Sequence, residues 1–115
     1  MPSPRVSICI PTWRGGDFLE AAIQSVLSQT FTDFELVVVD DCSGDDTVAR
    51  VRKYAEDPRL RCLVNQDNLG PEGNWNRCLA EASGEYIKLL PHDDLIAPEC
   101  LASAGGGGAC HSEGP

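Results

Sequence analysis

Basic residues are scarce in this chain, which has 9 lysines and arginines against 18 aspartates and glutamates, a formal net charge of −9. A surface this acidic repels the phosphates of nucleic acids and the headgroups of anionic membranes. We therefore expect no nucleic acid partner. An anionic ligand such as a nucleoside diphosphate would need a divalent cation between itself and the protein.

Long apolar segments are also lacking. No apolar run approaches the length that spans a membrane, and the start of the chain, MPSPR, has no signal-peptide pattern. These absences predict a cytoplasmic protein without a transmembrane segment. The six cysteines are then expected to be reduced, and because no CxxC spacing occurs we expect no zinc site.

The common nucleotide-binding signatures are missing as well. Gly15 and Gly16 could open a phosphate loop, but the chain has neither the GxGxxG fingerprint nor the lysine of a Walker motif. Trp13, just before these glycines, has two interpretations. It is either a stacking wall for a planar ring or a plug at the edge of the core.

What the chain does contain is a regular alternation of apolar strands with helical patterns. This alternation predicts an α/β fold, Rossmann-like, with a mostly parallel sheet and crossover helices. The capping-box spacing of Asp17 and Glu20 predicts the start of the first helix, and Val48, Val51 and Ala55 would share one face of the second. The predicted strands are residues 6–10, 34–39, 60–64 and 85–90.

The alternation weakens after residue 90. Residues 96–103 could form a short helix, and residues 104–115 include four consecutive glycines, which predicts a disordered tail. We therefore expect one α/β domain over residues 1–103, incomplete at its C-terminus, followed by a glycine-rich tail over residues 104–115.

Two acidic pairs follow predicted strands. Asp40 and Asp41 come directly after residues 36–39, and Asp93 and Asp94 follow residues 86–90. In open α/β sheets the ligand crevice lies outside the carboxyl ends of the strands, so both pairs are candidate binding residues. The alternative is that they are solvated turn residues or helix caps.

The second pair has the chemistry of a hard-cation site. Mg²⁺ and Mn²⁺ are held by one or two carboxylates, with water and substrate phosphates completing the shell. Asp94 is the candidate metal ligand, and Asp93 could turn toward a sugar hydroxyl. His92 is expected to pack in the loop, since these cations prefer oxygen.

Two longer stretches carry a family resemblance. The segment VSICIPTWRGGDFLEAAIQSVLSQTFTDFELVVVDDCSGDDT resembles the opening of a family 2 glycosyltransferase, and NLGPEGNWNRCLAEASGEYIKLLPHDDLIAPECL resembles the approach to its metal-binding acidic motif. The likeness runs from Arg5 to about Ala102. It implies the nucleotide-sugar-binding part of an A-type glycosyltransferase fold, of the nucleotide-diphospho-sugar transferase type.

The resemblance also implies residue roles. Pro11, Thr12 and Trp13 match the segment that wraps the nucleobase, and Asp41 matches the acid that reads the base, with Asp40 in support. Asp93 matches the acid near the ribose and donor sugar, and with Asp94 it implies a site for Mn²⁺ or Mg²⁺. Asn74 and Arg77 match positions that border the donor site.

The implied activity is metal-dependent transfer of a sugar, with inversion, from a nucleoside-diphosphate sugar of UDP type to an acceptor. In the family the general base and the acceptor pocket follow the acidic motif, so this chain is expected to lack a catalytic base and to be inactive by itself. A full-length relative could lie peripherally on a membrane. The alternatives are a nucleotide-binding module and an inert fragment, and the sequence names neither the sugar, the base, the acceptor nor an oligomeric state.

Overall fold

The structure is a computed structural model that describes residues 4–90 as an alternation of strands and helices. Among these residues all strand pairings are parallel, and the strand order is β3-β2-β1-β4. The predicted α/β fold with a parallel sheet and crossover helices is confirmed. The elements are β1 (Val6–Thr12), α1 (Gly16–Leu27), β2 (Phe34–Asp40), α2 (Thr47–Arg52), β3 (Leu60–Val64), α3 (Gly70–Glu81) and β4 (Tyr86–Leu89).

Helices cover both faces of the sheet. On one face Ile8, Leu36 and Val38 pack with α1, and on the other Val37 and Val39 pack with α3. Successive strand residues point to opposite faces, so a strand covered on both sides must be apolar throughout its centre. This requirement explains the run of valines in β2, whose seven residues are all buried.

Three local expectations are wrong. Strand β1 continues through Pro11 to Thr12, because Pro11 still pairs in register with Val39 of β2. Helix α1 begins at Gly16 without a side-chain cap, and Asp17 and Glu20 contact Arg50 of α2 rather than forming a capping box. Ala55 is exposed, because α2 ends at Arg52. The predicted helix at 96–103 and the tail lie outside the described residues.

A buried carboxylate, that of Glu35, lies near the start of β2, at the opposite end of that strand from Asp40 and Asp41. Glu35 accepts hydrogen bonds from Ser7 Oγ at 2.5 Å and from the backbone nitrogen and hydroxyl of Ser83 at 2.7 and 2.8 Å. Arg61 adds an ion pair at 3.3 Å. Burial opposes ionisation, but these bonds outweigh it and hold the pKa of the Glu35 carboxyl below its ordinary value.

We expect Glu35→Gln to lower the free energy of unfolding by about 1–3 kcal/mol at neutral pH, because it removes a charged acceptor from buried donors. A folded-state pKa below the unfolded value stabilises the protein above the unfolded pKa, and this stabilisation is lost as the pH falls through the folded pKa. The difference between wild type and variant should therefore shrink near pH 3. Urea titrations at pH 7 and pH 3 measure it, with the exposed Glu56→Gln as control. A pH-independent difference would contradict this account.

Candidate functional site

The carboxyl ends of β1 and β2 meet beside the loop that precedes α3, and the first acidic pair lies there. Its two members are both buried, at 1% and 2% exposure for Asp40 and Asp41. The backbone of Asp41 donates to the carbonyl of Thr12 at 2.9 Å, which ties the two strand ends together. Adjacent in sequence, the two carboxylates point to different partners.

Asp40 is bound to the turn that follows it. Its carboxylate accepts hydrogen bonds from the Ser43 backbone nitrogen at 3.0 Å and the Ser43 hydroxyl at 2.5 Å. The same hydroxyl accepts the backbone N–H of Arg14 at 2.8 Å. Arg14 has a left-handed backbone, with φ of 53°, so this bond helps to hold an unfavourable turn next to Trp13. Asp40 therefore helps, through Ser43, to position the loop that carries Trp13.

Asp41 is bound to the loop before α3. Its Oδ1 accepts from Asn65 Nδ2 at 3.0 Å and from the Leu69 backbone nitrogen at 2.7 Å, and its Oδ2 accepts from the Gly70 backbone nitrogen at 3.0 Å. An ionised carboxylate has about four acceptor positions. Within residues 4–90 three of them are taken, which leaves one on Oδ2.

Gly70 begins α3 with a φ of 82°, a conformation that favours glycine. This backbone turn aims its N–H at both Asp41 and the side-chain oxygen of Asn68, the second at 3.1 Å. Asn68 in turn donates to the backbone oxygen of Asp41 at 3.0 Å. The loop before α3 is thus held to the end of β2 by both its backbone and its side chains.

Two buried asparagines, Asn65 and Asn74, help to position the carboxylate of Asp41. Asn65 donates to Asn74 Oδ1 at 2.9 Å as well as to Asp41, and Asn74 Nδ2 donates to the backbone oxygens of Val39 at 3.0 Å and Thr12 at 3.4 Å. Asn74 was expected from the sequence, whereas Asn65 was not. The only sequence signal for Asn65 was a polar residue directly after a strand. Buried amides with all groups bonded make a rigid scaffold.

An open pocket of about 450 Å³ lies above this scaffold. Of the expected site residues, Pro11, Thr12, Trp13, Asp41 and Asn74 line it. The additional lining residues, which the sequence analysis did not select, are Asn68, Gly70, Pro71 and Trp75. The structure therefore joins the end of β1, the end of β2 and the start of α3 around one cavity.

Two expected residues are near the pocket without lining it. Asp40 is turned toward Ser43, and Arg77 contacts Asn65 Oδ1 at 3.5 Å and pairs with Glu81 at 3.4 Å. Asp93 and Asp94 lie outside the described residues. Within residues 4–90 no group of three or more His, Cys, Asp or Glu side chains is arranged to hold a metal ion.

The pocket has apolar walls and one carboxylate. None of its lining residues from the described part of the chain is a lysine, arginine or histidine. Trp13 is 47% exposed, and the Arg14 guanidinium stacks on its ring at 4.6 Å from the centroid. Arg14 itself does not line the pocket. Such a slot suits a flat neutral ring with an N–H donor better than a phosphate.

No helix among residues 4–90 is long and apolar enough to span a membrane.

The family model for Glycosyl transferase family 2 matches residues 7–104 of this chain. Similar curated proteins include the GalNAc(5)-diNAcBac-PP-undecaprenol β-1,3-glucosyltransferase of Campylobacter jejuni, 38% identical over 102 residues, which are 87% of this chain and 33% of that protein. The UDP-Glc:α-D-GlcNAc-diphosphoundecaprenol β-1,3-glucosyltransferase WfgD of Escherichia coli is 39% identical over 90 residues, 78% of this chain and 35% of that protein.

Solved structures show the same fold. TarS 1–349 of Staphylococcus aureus in complex with UDP-GlcNAc has a TM-score of 0.84 and 33% identity, covering 89% of this chain and 30% of that one. The mannosyltransferase PcManGT of Pyrobaculum calidifontis in complex with GDP-Man and Mn²⁺ has a TM-score of 0.81 and 30% identity, covering 90% of this chain and 32% of that one. The chain thus spans about a third of the length of each of these four matched chains.

Proposed function

This chain belongs to glycosyl transferase family 2, and we propose that it is the donor-binding part of a glycosyltransferase that uses a nucleoside-diphosphate sugar. The observation that carries the proposal is the pocket at the ends of β1 and β2, where an exposed indole and a buried carboxylate border one cavity. An aromatic ring provides stacking, and a carboxylate accepts hydrogen bonds from a base. Together these groups recognise a nucleobase.

The roles within the pocket follow from its contacts. Trp13 stacks on the base, and Pro11 and Thr12 complete the wall that the end of β1 provides. The remaining acceptor position on Asp41 Oδ2 takes a ring N–H, such as N3–H of uracil or N1–H of guanine. Asn65 donates hydrogen bonds to both Asn74 and Asp41, so Asn74 positions Asp41 indirectly. Arg77 positions Asn65 by donating a hydrogen bond to its side-chain oxygen. Asp40 acts indirectly, through Ser43 and the loop of Trp13.

We assign a UDP sugar as the donor. TarS, which has been solved with UDP-GlcNAc, and the Escherichia coli relative, whose name includes UDP-Glc, both support this choice. PcManGT was solved with GDP-Man, so GDP is the natural competitor in a binding test. The donor domain comprises residues 1–103 in this proposal, with residues 104–115 as a separate tail.

Asp93 and Asp94 would hold the divalent cation, with Asp94 as ligand and Asp93 shared with the donor sugar. Their adjacent carboxylates are the hard oxygen ligands that Mn²⁺ and Mg²⁺ require. When bound, the cation neutralises charge on the diphosphate leaving group. The pocket has no cationic side chain among its described lining residues, so charge neutralisation for a diphosphate has to come from elsewhere.

We propose that the transfer is a single displacement with inversion, in which a base deprotonates the acceptor hydroxyl as the nucleoside diphosphate leaves. We assign no such base among residues 4–90, because Asp41, the one carboxylate that lines the pocket there, is occupied in binding the loop and the nucleobase. In this proposal residues 4–90 bind the donor and contribute no base to the transfer.

Titration calorimetry with UDP and Mn²⁺ tests the proposal, and Trp13 gives the sharpest variant. Trp13→Ala should weaken UDP binding by about 1–3 kcal/mol, the usual effect of losing one base-aromatic stack. In a Trp75→Phe background Trp13 is the sole indole, and its emission should change on UDP binding.

Phe18→Ala is the matched control, because Phe18 is 64% exposed and does not line the pocket. It should bind UDP as the wild type does. A folded Trp13→Ala variant with unchanged UDP affinity would return Trp13 to the alternative role of covering the core. No binding of UDP or GDP to the wild type would overturn the proposed function itself.

A further inference from the structure

A second indole borders the pocket from a different element. Trp75 lies on α3 and is 42% exposed, close to the 47% of Trp13. The buried positions of α3 are Asn74 and Cys78, so the core is packed without Trp75. A large aromatic side chain that is left half exposed in a concave site is typical of a ligand contact.

The neighbours of Trp75 decide what kind of ligand it contacts. Pro71 and Gly70, at the start of α3, line the same cavity, and neither side chain carries charge. An indole has no charge with which to neutralise a phosphate, whereas its face stacks on a planar ring. On this side, as on the side of Trp13, the cavity favours a base over a diphosphate.

Trp13 lines the same cavity. The Arg14 guanidinium stacks on its ring, and Arg14 itself does not line the cavity. Asp41 lines the cavity as well, and its carboxylate offers an acceptor for a ring N–H. The pocket volume of about 450 Å³ lies in the range of small-molecule sites.

We propose that Trp75 is the second aromatic wall of the nucleobase site, so that the base is held between Trp13 and Trp75 with its edge on Asp41. This inference rests on the proposed function and adds a base-binding residue on α3. Stacking on both faces of a ring adds affinity for a ligand that carries a base.

The experiment compares the affinity for UDP, which contains a nucleobase, with the affinity for pyrophosphate, which contains none. We expect Trp75→Ala to weaken UDP binding in Mn²⁺ by about 5- to 100-fold, as for loss of one stacking partner, while binding of pyrophosphate in Mn²⁺ stays unchanged. Trp75→Phe should lose less, because it keeps an aromatic face. Leu79→Ala is the control, since Leu79 is also exposed on α3, at 41%, and does not line the pocket.

Fluorescence gives an independent readout. In a Trp13→Phe variant Trp75 is the sole indole, and its emission should change when uridine is added. The proposal that Trp75 stacks on the base would be overturned by either of two results. One is Trp75 emission that does not respond to uridine, and the other is an equal loss of UDP and pyrophosphate affinity in Trp75→Ala. If the wild type binds UDP and Trp75→Ala binds it equally well, this inference fails while the donor site stands. If the wild type binds neither UDP nor uridine, both proposals fail.

Discussion

Replacing Asp41 by alanine is expected to lower the free energy of unfolding by about 2–4 kcal/mol and to abolish UDP binding. Its carboxylate is the shared acceptor for Asn65 and for the backbone nitrogens of Leu69 and Gly70. Removing the carboxylate leaves buried donors without a partner, which costs more than the net value of the bonds themselves. The loop before α3 would then lose its attachment to β2, and with it one side of the pocket.

Asp41→Asn separates the two effects. Its amide keeps one oxygen for Asn65 and Leu69, so the stability loss should be smaller than in Asp41→Ala. Its NH₂ group replaces the oxygen that faces Gly70 and the ligand, and a donor placed there repels a ring N–H. We expect a folded variant whose UDP affinity is at least about tenfold weaker, the cost of a hydrogen bond to a charged group.

Urea titration and calorimetry on the same preparations measure the two quantities. Asp67→Asn is the matched control, because Asp67 is exposed in the same loop and a surface substitution of this kind usually changes stability by less than about 0.5 kcal/mol. If folded Asp41→Asn bound UDP with wild-type affinity, the carboxylate would be purely a loop anchor and the base would be read elsewhere.

Removal of divalent cations is expected to reduce UDP affinity by about a hundredfold or more. The chain has a net charge of −9, and the described lining of the pocket contains no cationic side chain. A diphosphate brought next to such a protein is repelled unless a cation intervenes, and the repulsion is strongest at low ionic strength. Calorimetry with UDP in Mn²⁺, in Mg²⁺ and in EDTA gives the three affinities.

Uridine provides the internal control for this measurement, because it has the base and the ribose but no phosphate charge. Its affinity should be the same with Mn²⁺ and with EDTA. Asp94→Asn should bind UDP in Mn²⁺ as weakly as the wild type does in EDTA, whereas Asp67→Asn, which removes one charge elsewhere, should not. Equal UDP affinity in Mn²⁺ and EDTA would rule out the proposed metal role.

The local pattern of the sequence was sufficient for the architecture and insufficient for several helix ends and contacts. Strand and helix periodicity reflects burial, and burial is set by the layer in which an element lies, so the alternation predicted the parallel sheet. The capping box at Asp17 and Glu20 failed because Arg50 of α2 offers both carboxylates an ion pair. The face assigned to Ala55 failed because α2 is shorter than the pattern suggested.

The residues of the candidate site were likewise predicted only in part from the sequence. Strand-end position was enough to make Trp13 and Asp41 candidates, because the carboxyl ends of parallel strands meet at one edge of a sheet. The family resemblance added Asn74, and all three line the pocket. Neither of these signals selected Asn65 or Trp75. Their importance depends on where the loop before α3 is attached, and that attachment is made by a residue 24 or more positions earlier in the chain.

By itself, then, the sequence determined the class of fold, the family and the edge of the sheet at which the candidate pocket lies, since these follow from periodicity and from motifs that are local in the chain. Only the tertiary structure showed that Asp40 and Asp41 have different hydrogen-bond partners. Both are acidic, buried and adjacent, yet one binds a turn three residues away and the other a loop that contains Leu69 and Gly70. Successive side chains at a strand end point in different directions, so the partners of each are chosen by packing between distant segments and cannot be read from neighbours in the sequence.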